Sequence, residues 1–232
     1  MNYEELLELL KKRRSIRRFK SDPVPDEYVD MIIEAGRFAP SGFNQQPWDF
    51  VIVKDPALKD GIARICEAQA ELNAQMEATR EPWQTTPKAP SLTGPGGDYR
   101  VAPVFILVLG DTRSRKGLPM IRRYDDRQWQ LVFVSGLANA LLSMHLAATT
   151  LGLGGQWVSR VSTAYGNCMI KNLLGIPEPF EIYDMMVLGH AASTPQPRLM
   201  REKAKMVHYD DCGPDSFRTD AEVNDFIKRS RA

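Results

Sequence analysis

The chain has 232 residues, of which 43% are hydrophobic and 25% are charged. That length and apolar content suit one globular domain with a sizeable core, so residues 1–232 are expected to form a single domain. The 30 basic and 29 acidic residues leave a formal net charge of +1. A charge this close to zero gives no overall field that would attract nucleic acid or an anionic membrane, and any anion site must be local.

The cysteines and the N-terminus favour a reducing compartment. Cys66, Cys168 and Cys212 are far apart and form no Cys-x-x-Cys motif. An odd number at this spacing predicts neither a disulfide framework nor a zinc site. The acidic N-terminal residues also lack the apolar run of a signal peptide. We therefore expect free thiols in a cytoplasmic protein.

The first half of the chain predicts helices, a strand, a loop and a buried strand. Asn2 is the expected N-cap of the first helix, and Pro25 with two following acids suits the start of the second. A β-rich run predicts the first strand, and a continuous apolar run predicts the second. In chain order these elements are helices at 3–13 and 26–38, a strand at 48–53, a helix at 57–80, a loop at 82–97 and a strand at 101–109.

The second half begins with a polar, arginine-rich segment, 112–126, which predicts a mobile loop. Residues 131–159 then contain no Lys, Arg, Asp or Glu, which by length alone would permit a membrane span. Scattered polar residues and a closing glycine cluster favour a buried central helix instead. The further predicted elements are a helix at 127–151, a strand at 156–161, a helix at 165–174, a strand at 182–189 and a helix at 220–228. Together they predict one sheet of about four strands with helices on its faces.

Common catalytic and nucleotide motifs are absent from the sequence. There is no phosphate loop of the Gly-x-x-x-x-Gly-Lys-Ser/Thr kind, no His-Glu-x-x-His and no Gly-x-Ser-x-Gly. The glycine cluster 152–155 does not complete the dinucleotide fingerprint. His145, His190 and His208 are well separated, so no metal site is predicted. If the chain is an enzyme, a cofactor is expected to carry the chemistry.

A dense basic stretch runs from Lys11 to Lys20 and contains seven cations in ten residues. It suits a solvated helix end, where cations interact favourably with the helix dipole. It also suits a phosphate site, because arginine forks match phosphate oxygens and Ser15 adds a neutral donor. The stretch alone leaves both interpretations open.

Two further segments are rich in ligand-binding groups. Residues 39–48 combine Asn44, Gln45 and Gln46 with two prolines and Trp48 just before a strand. Amide side chains offer paired donors and acceptors, which complement the edge of a flavin pyrimidine. In residues 152–159, glycines allow the backbone to approach a flat ligand closely.

These segments, in this order, resemble the nitroreductase family. The resemblance rests on Arg-Arg-Ser-Ile-Arg-Arg-Phe, Pro-Ser-x-x-Asn-x-Gln-Pro-Trp and Gly-Leu-Gly-Gly-x-Trp, and on the late segments 189–198 and 207–209. It implies an α+β fold with a central mixed, mainly antiparallel sheet flanked by helices. It also implies an intertwined homodimer with FMN held between the two subunits.

The resemblance also implies roles for individual residues. The FMN phosphate and ribityl chain would be held by Arg13, Arg14, Ser15, Arg17 and Arg198. The other subunit would contribute Pro40, Ser41, Asn44 and Gln46. Backbone N–H groups of Val158, Ser159 and Arg160 would meet flavin N5, although the family often has glycines where this chain has Ser159 and Arg160. Arg160 would then narrow the pocket or contact an anionic substrate.

The resemblance further implies a substrate lid within residues 61–130 and a dimer-wrapping tail at 200–232. Candidate lid contacts are Trp83, Tyr99, Arg122, Arg123 and Tyr124, each of which equally suits an ordinary surface loop. The implied reaction is ping-pong: NADH or NADPH reduces the flavin, which then reduces a nitroaromatic, a quinone or a related conjugated acceptor. Alternatives are a flavin-fragmenting enzyme of the dimethylbenzimidazole synthase type, a reductive dehalogenase and a non-catalytic flavin-binding protein. A clear Glu, Tyr and Lys lid triad for a dehalogenase is not evident.

Overall fold

The computed structural model describes residues 2–78, 99–195, 198–210, 212–213 and 216–231. The loop expected at 82–97, with Trp83, lies outside these residues. The described helices are α1 (Tyr3–Lys12), α2 (Asp26–Arg37), α3 (Pro56–Ala78), α4 (Met120–Arg123), α5 (Asp126–Thr150), α6 (Ala164–Leu174) and α7 (Asp220–Arg231). The strands are β1 (Trp48–Val53), β2 (Val104–Asp111), β3 (Gly154–Val158) and β4 (Phe180–Gly189).

The four described strands form one sheet in the order β1-β2-β4-β3, and all three neighbouring pairs are antiparallel. An isolated parallel bridge joins Ser15 to Gly155 at the β3 edge. The β2–β4 register shifts between Val108 and Leu109, so that β4 carries an extra residue at Tyr183. The predicted α+β fold with a mainly antiparallel central sheet is confirmed.

Helix α5 supplies much of the core on one face of the sheet. Its N-terminus is capped by Asp125, whose side chain accepts a hydrogen bond from the backbone N–H of Gln128. Leu137, Leu141 and Met144 are almost completely buried and pack with apolar residues of α2, β2 and β4. By length and composition α5 could cross a membrane, but 44% of its most apolar window is buried inside the fold. This packing matches the predicted central helix.

The two faces of the sheet carry separate apolar clusters, because side chains alternate along each strand. On β2, Ile106 and Val108 pack on the α5 side, whereas Phe105 and Leu107 pack on the opposite side with α3 and α6 residues. The predicted capping of α1 is also present. The Asn2 side chain accepts from the Glu5 backbone N–H at 2.9 Å.

Three predicted elements differ from the structure. Strand β2 starts later than expected because residues 99–101 form a 3-10 turn, and β3 ends at Val158, where a second 3-10 turn begins. The segment 112–126 is not an irregular loop. It contains a 3-10 helix capped by Asp111 and the one-turn helix α4, and Arg115 donates to the Arg123 carbonyl at 2.6 Å. These caps and side-chain bonds order a segment that apolar periodicity does not reveal.

Within the predicted lid range 61–130, β2 is a core strand, so a lid role remains a prediction only for the residues outside it. In the tail, residues 220–231 form α7, and Phe226 of this helix lies beside the basic segment of the same chain. The dimer-wrapping role of the tail stays a prediction.

Candidate functional site

The basic segment leaves α1 and runs along the sheet edge formed by β3 and the end of β4. Ile16 N–H donates to the Gly155 carbonyl at 3.0 Å, and Lys20 N–H donates to the His190 carbonyl at 2.9 Å. A Cβ placed on Gly154 would lie 2.4 Å from Ile16 Cγ1, so a glycine is required for this close approach. Sequence analysis had marked both segments that meet here, the basic stretch and the glycine cluster.

An open cavity of about 820 Å³ lies beside this segment. Its lining includes cations, hydroxyl groups and a few apolar side chains, and it has no Asp or Glu among the described residues. The lining residues are Arg13, Arg14, Ser15, Ile16, Arg17, Arg18, Ser193, Thr194, Pro195, Arg198, Leu199, Phe226 and Ser230. The structure therefore brings together all five residues proposed to hold a phosphate, including Arg198, which is 185 positions from Arg13 in sequence.

Positive charge is concentrated in the cavity. Arg198 donates to the Arg13 carbonyl at 2.8 Å. Burial, and then the neighbouring charges of Arg198 and Arg14, lower the pKa of Arg13. Among the described residues, the side chains of Arg14, Arg17 and Arg18 have no hydrogen bond or ion pair. Unpaired guanidinium groups around hydroxyl donors form a site suited to a phosphate dianion.

The residues present fit the phosphate end of FMN. The donor set is cationic and neutral without an opposing carboxylate, and the cavity has room for more than a phosphate group. The cavity adjoins β3, where Gly155 permits close packing, because a Cβ there would lie 2.6 Å from His145 Nδ1. Flat or extended ligand parts could therefore follow the strand from the arginines.

The amide-rich loop lies elsewhere, against the middle of α5. Asn139 of α5 donates to the Pro40 carbonyl at 3.0 Å, and Gln46 N–H donates to the Ser41 hydroxyl at 2.9 Å. The Gln46 amide also donates to Asn44 Oδ1 at 3.1 Å. None of Pro40, Ser41, Asn44 and Gln46 is among the described residues that line the cavity. Within one chain, the amide-rich loop therefore does not contact the cavity that contains the arginines.

The same loop has a strained backbone. Phe43, Asn44 and Gln46 all have positive φ, at 57°, 50° and 45°. Residues other than glycine rarely adopt this left-handed backbone conformation. Backbone strain of this kind is concentrated at ligand sites and switch regions. The conformation leaves Asn44 and Gln46 exposed, with amide groups available to a ligand or to another chain.

The end of β3 places the third set of predicted contacts. Val158 is buried, Ser159 is exposed and Arg160 is half-buried. The charge of Arg160 lowers the pKa of Cys66 and of Tyr99, against the larger effect of burial, which raises both. Arg160 therefore lies near residues on the α3 side of the sheet. It is not among the residues that line the arginine cavity.

The predicted lid contacts have different surroundings. Tyr99 packs edge-on against Phe105, with ring centroids 5.7 Å apart, in the core cluster on the α3 side. Arg123 donates to the carbonyls of Lys116 and Leu118. Arg122 lies over the Phe43 ring at 5.3 Å, and Tyr124 is exposed. Arg122 and Tyr124 therefore remain the accessible candidates within the described residues.

Comparison with known proteins shows the family of the chain. The family model named Nitroreductase family matches residues 10–190, which is most of the chain. The chain belongs to the nitroreductase family.

The proteins similar to this chain have names that describe different activities. Iodotyrosine deiodinase 1 of Rattus norvegicus is 43% identical over 194 residues, which cover 82% of this chain and 63% of that protein. The chain thus spans less than two thirds of that relative. A putative NADH dehydrogenase/NAD(P)H nitroreductase of Archaeoglobus fulgidus is 27% identical, covering 81% of this chain and 86% of that protein. A solved Bacteroides fragilis nitroreductase with bound FMN is 25% identical, with a TM-score of 0.64, and covers 91% of this chain and 100% of that chain.

Sequence reasoning missed several residues that line the cavity. Ser193 and Thr194 lie within the late segment 189–198 but were not marked as contacts, and Phe226 and Ser230 lie beyond the recognised segments. The buried acid Asp184 of β4 was also not anticipated, although an acid within the apolar run 182–189 was a visible signal. The hydroxyl and aromatic residues carried no such signal, because only the fold brings them to the arginines.

Proposed function

We propose that the protein is an FMN-dependent oxidoreductase that uses NADH or NADPH to reduce nitroaromatics, quinones or related conjugated acceptors. The observation that carries the proposal is the cavity in which Arg13, Arg14, Arg17 and Arg198 converge without an opposing acid. When bound, FMN supplies a ring that accepts hydride from the nicotinamide and returns electrons to the acceptor. Without such a cofactor the described residues offer no comparable redox group.

The protein's own residues bind and orient in this proposal. Arg13, Arg14, Ser15, Arg17 and Arg198 bind the phosphate and the adjoining ribityl chain. Backbone N–H groups at 158–160 stabilise negative charge that develops on the ring edge, as fixed donors do in other enzymes. Neither role requires a side chain that gives or takes a proton at the reacting atoms.

The proposed assembly is a homodimer with the cofactor between two copies. Two observations support it. The loop with Pro40, Ser41, Asn44 and Gln46 is not at its own chain's cavity, so a second copy would supply it. Helix α5 also exposes apolar side chains, with Leu131 at 61% and Leu142 at 42% exposure. Such unburied apolar surface on a core helix is typical of an interface.

Sedimentation velocity at decreasing concentration tests the dimer. A dimer that persists together with bound FMN is the expected result, because obligate interfaces of this kind commonly bury more than about 2,000 Å². A stable, folded monomer that still binds FMN would contradict both the dimer and the shared site.

Rapid mixing with reduced nicotinamides tests the activity. Under anaerobic conditions, NADH or NADPH should bleach the oxidised flavin band, and a nitroaromatic or a quinone should restore it. Steady-state data should give parallel double-reciprocal lines, because one site serves two substrates in turn. The variants His190→Ala and His208→Ala should keep flavin reduction within about tenfold of the wild-type rate, or roughly 1.4 kcal/mol in barrier. Absence of bleaching by both nucleotides would refute the proposed activity.

A second candidate is reductive dehalogenation of a halogenated phenol. It is favoured by the 43% identity to a protein named for its action on iodotyrosine. The same reduced enzyme should therefore be offered iodotyrosine beside the nitroaromatic and the quinone, with release of iodide as the readout. Iodide release much faster than reoxidation by the other acceptors would favour the second candidate over the first.

A further inference from the structure

A partly exposed indole occupies the β3 edge and is held on two sides. Trp157 is 36% exposed, a high value for so large a side chain within a strand. Its ring stacks on buried His145, with ring centroids 5.9 Å apart and an interplanar angle of 10°. Tyr183 meets it at 6.3 Å and 70°. These contacts fix the plane of the indole while part of its surface remains accessible.

A buried carboxyl group fixes the same indole. Asp184 is 5% exposed on β4, and its Oδ2 accepts the hydrogen bond that the Trp157 indole N–H donates. Burial raises the pKa of Asp184, while hydrogen bonds from Trp157 and the Ser159 side chain act in the opposite direction. No described residue is a partner of Asp184 Oδ1. A buried carboxyl group with an oxygen that lacks a hydrogen-bond partner lowers the stability of the fold, and an apolar residue at this position would avoid that cost.

The position of Trp157 relative to the arginine cavity is set by the strand. Ser15 of the cavity is bridged to Gly155, and Trp157 follows two residues later, roughly 6–7 Å along β3. Gly155 and Trp157 lie on the same face of β3, because side chains alternate along a strand. That face is the α5 side, since a Cβ on Gly155 and the Trp157 ring would both contact His145 of α5. A ligand with a phosphate at the arginines and a flat ring beyond a short flexible chain would therefore reach the indole.

We propose that Trp157 is a stacking platform for the flavin ring and that Asp184 is a positioning residue that fixes the indole for this contact. The inference rests on the proposed function, since it takes FMN as the ligand of the cavity. It adds two residues of this chain to the site and explains why a polar side chain is kept within the apolar strand β4.

Equilibrium FMN binding to the apo-protein tests the platform. Trp157→Ala should weaken FMN binding by about tenfold or more, the cost of losing one stacked aromatic surface, and should relieve the quenching of flavin fluorescence. Trp157→Phe keeps a ring and should recover most of both signals. Trp129→Phe is the matched control, because Trp129 stacks on Phe133 away from the cavity, and it should leave both unchanged. Wild-type affinity and quenching in Trp157→Ala would overturn the inference.

The role of Asp184 is tested without flavin as well as with it. In apo-protein with ¹⁵N-labelled tryptophan, Asp184→Asn and Asp184→Leu should shift the Trp157 indole N–H resonance and leave that of Trp129 in place. Both variants should weaken FMN binding, and neither should weaken it further in a Trp157→Ala background. A loss of affinity that adds fully to that of Trp157→Ala would overturn the positioning role.

The outcomes separate this inference from the proposed activity. If the variants behave as expected but neither nicotinamide reduces the bound flavin, the platform stands and the proposed activity fails. If the flavin is reduced but Trp157→Ala binds it like the wild type, the activity stands and the platform fails. A wild-type protein that does not bind FMN refutes both.

Discussion

Two arginine-rich regions of this protein look alike in sequence and differ in what their side chains contact. In the segment 112–126, Arg113 pairs with Asp111 at 2.7 Å, and Arg115 pairs with Asp126. In the cavity, the side chains of Arg14 and Arg17 have no partner among the described residues. The first group uses its charge to hold its own segment in place. The second leaves its charge without a partner within the described residues.

Local charge density is therefore a weak indicator of a binding site until the partners of the charged side chains are known. Seven cations in residues 11–20 suited a solvated helix end as well as they suited a phosphate site. The structure favours the phosphate site because Arg198 arrives from the far end of the chain and no described carboxylate accompanies it. In the other region, Asp111, Asp125 and Asp126 provide neighbouring negative charge.

Removal of one arginine from the cavity should change FMN binding more than any of the other substitutions. Arg14→Ala or Arg198→Ala should lower FMN affinity by about 2–5 kcal/mol, the usual cost of removing one partner of a desolvated charge pair. Titration calorimetry on the apo-protein measures the loss. The matched control is Arg113→Ala, which removes a cation of the other group and should leave FMN affinity unchanged. Equal losses from Arg14→Ala and Arg113→Ala, or no loss from either cavity variant, would mean that the two groups do not differ in function.

The second prediction concerns the pH dependence of stability. His145 is a buried residue of α5, and the charge of the cavity residue Arg13 acts on it. Burial, and secondarily the charge of Arg13, lowers the pKa of His145 from 6.5 to about 4. The neutral form is thus favoured in the folded state. Its contribution to stability is fully present above pH 6.5 and is lost progressively as the pH falls from 6.5 to about 4. At 1.36 kcal/mol per pKa unit, the loss reaches about 3 kcal/mol near pH 4.

Urea unfolding of the wild type and His145→Asn at pH 7.5 and pH 4 checks this expectation. The variant cannot ionise, so the wild type should lose about 3 kcal/mol more than the variant between the two pH values. Equal losses would show that His145 is not held neutral in the folded protein. Because the comparison is a difference of differences, the other groups that titrate in this range cancel.

Much of the fold followed from short-range signals in the sequence. Asn2 and Glu5 specify the start of α1 through a capping box, and the run of β-branched and aromatic residues at 48–53 specifies β1. The start of β3 did not follow, because Gly154 and Gly155 have low strand propensity. These glycines are strand residues for tertiary reasons: Ile16 and His145 leave no room for a Cβ.

The candidate site was predictable only where known motifs marked it. The order of the motifs anticipated that residues 13–17 and Arg198 would meet, which no local pattern could show. Trp157 ends the Gly-Leu-Gly-Gly-x-Trp motif, but the motif did not mark it as a contact. Asp184 lies outside the motifs, and the two residues meet only because β3 pairs with β4. The cavity residues from α7 also escaped prediction, since their helical pattern indicates only an amphipathic helix and not what it packs against.

Loss of one ion pair in the segment 112–126 should have only a small effect. Asp126 is 87% exposed and its partner Arg115 is 31% exposed, so their ion pair lies largely in water. Asp126→Asn should therefore cost about 1 kcal/mol or less of unfolding free energy, as surface pairs usually do. The cost should shrink further at high salt, where exposed charges are screened. Urea unfolding at two ionic strengths measures it, and FMN titration of the same variant should match the wild type. A clear loss of FMN affinity would place the segment 112–126 at the cofactor, and pairing within the chain would then no longer distinguish the two arginine groups.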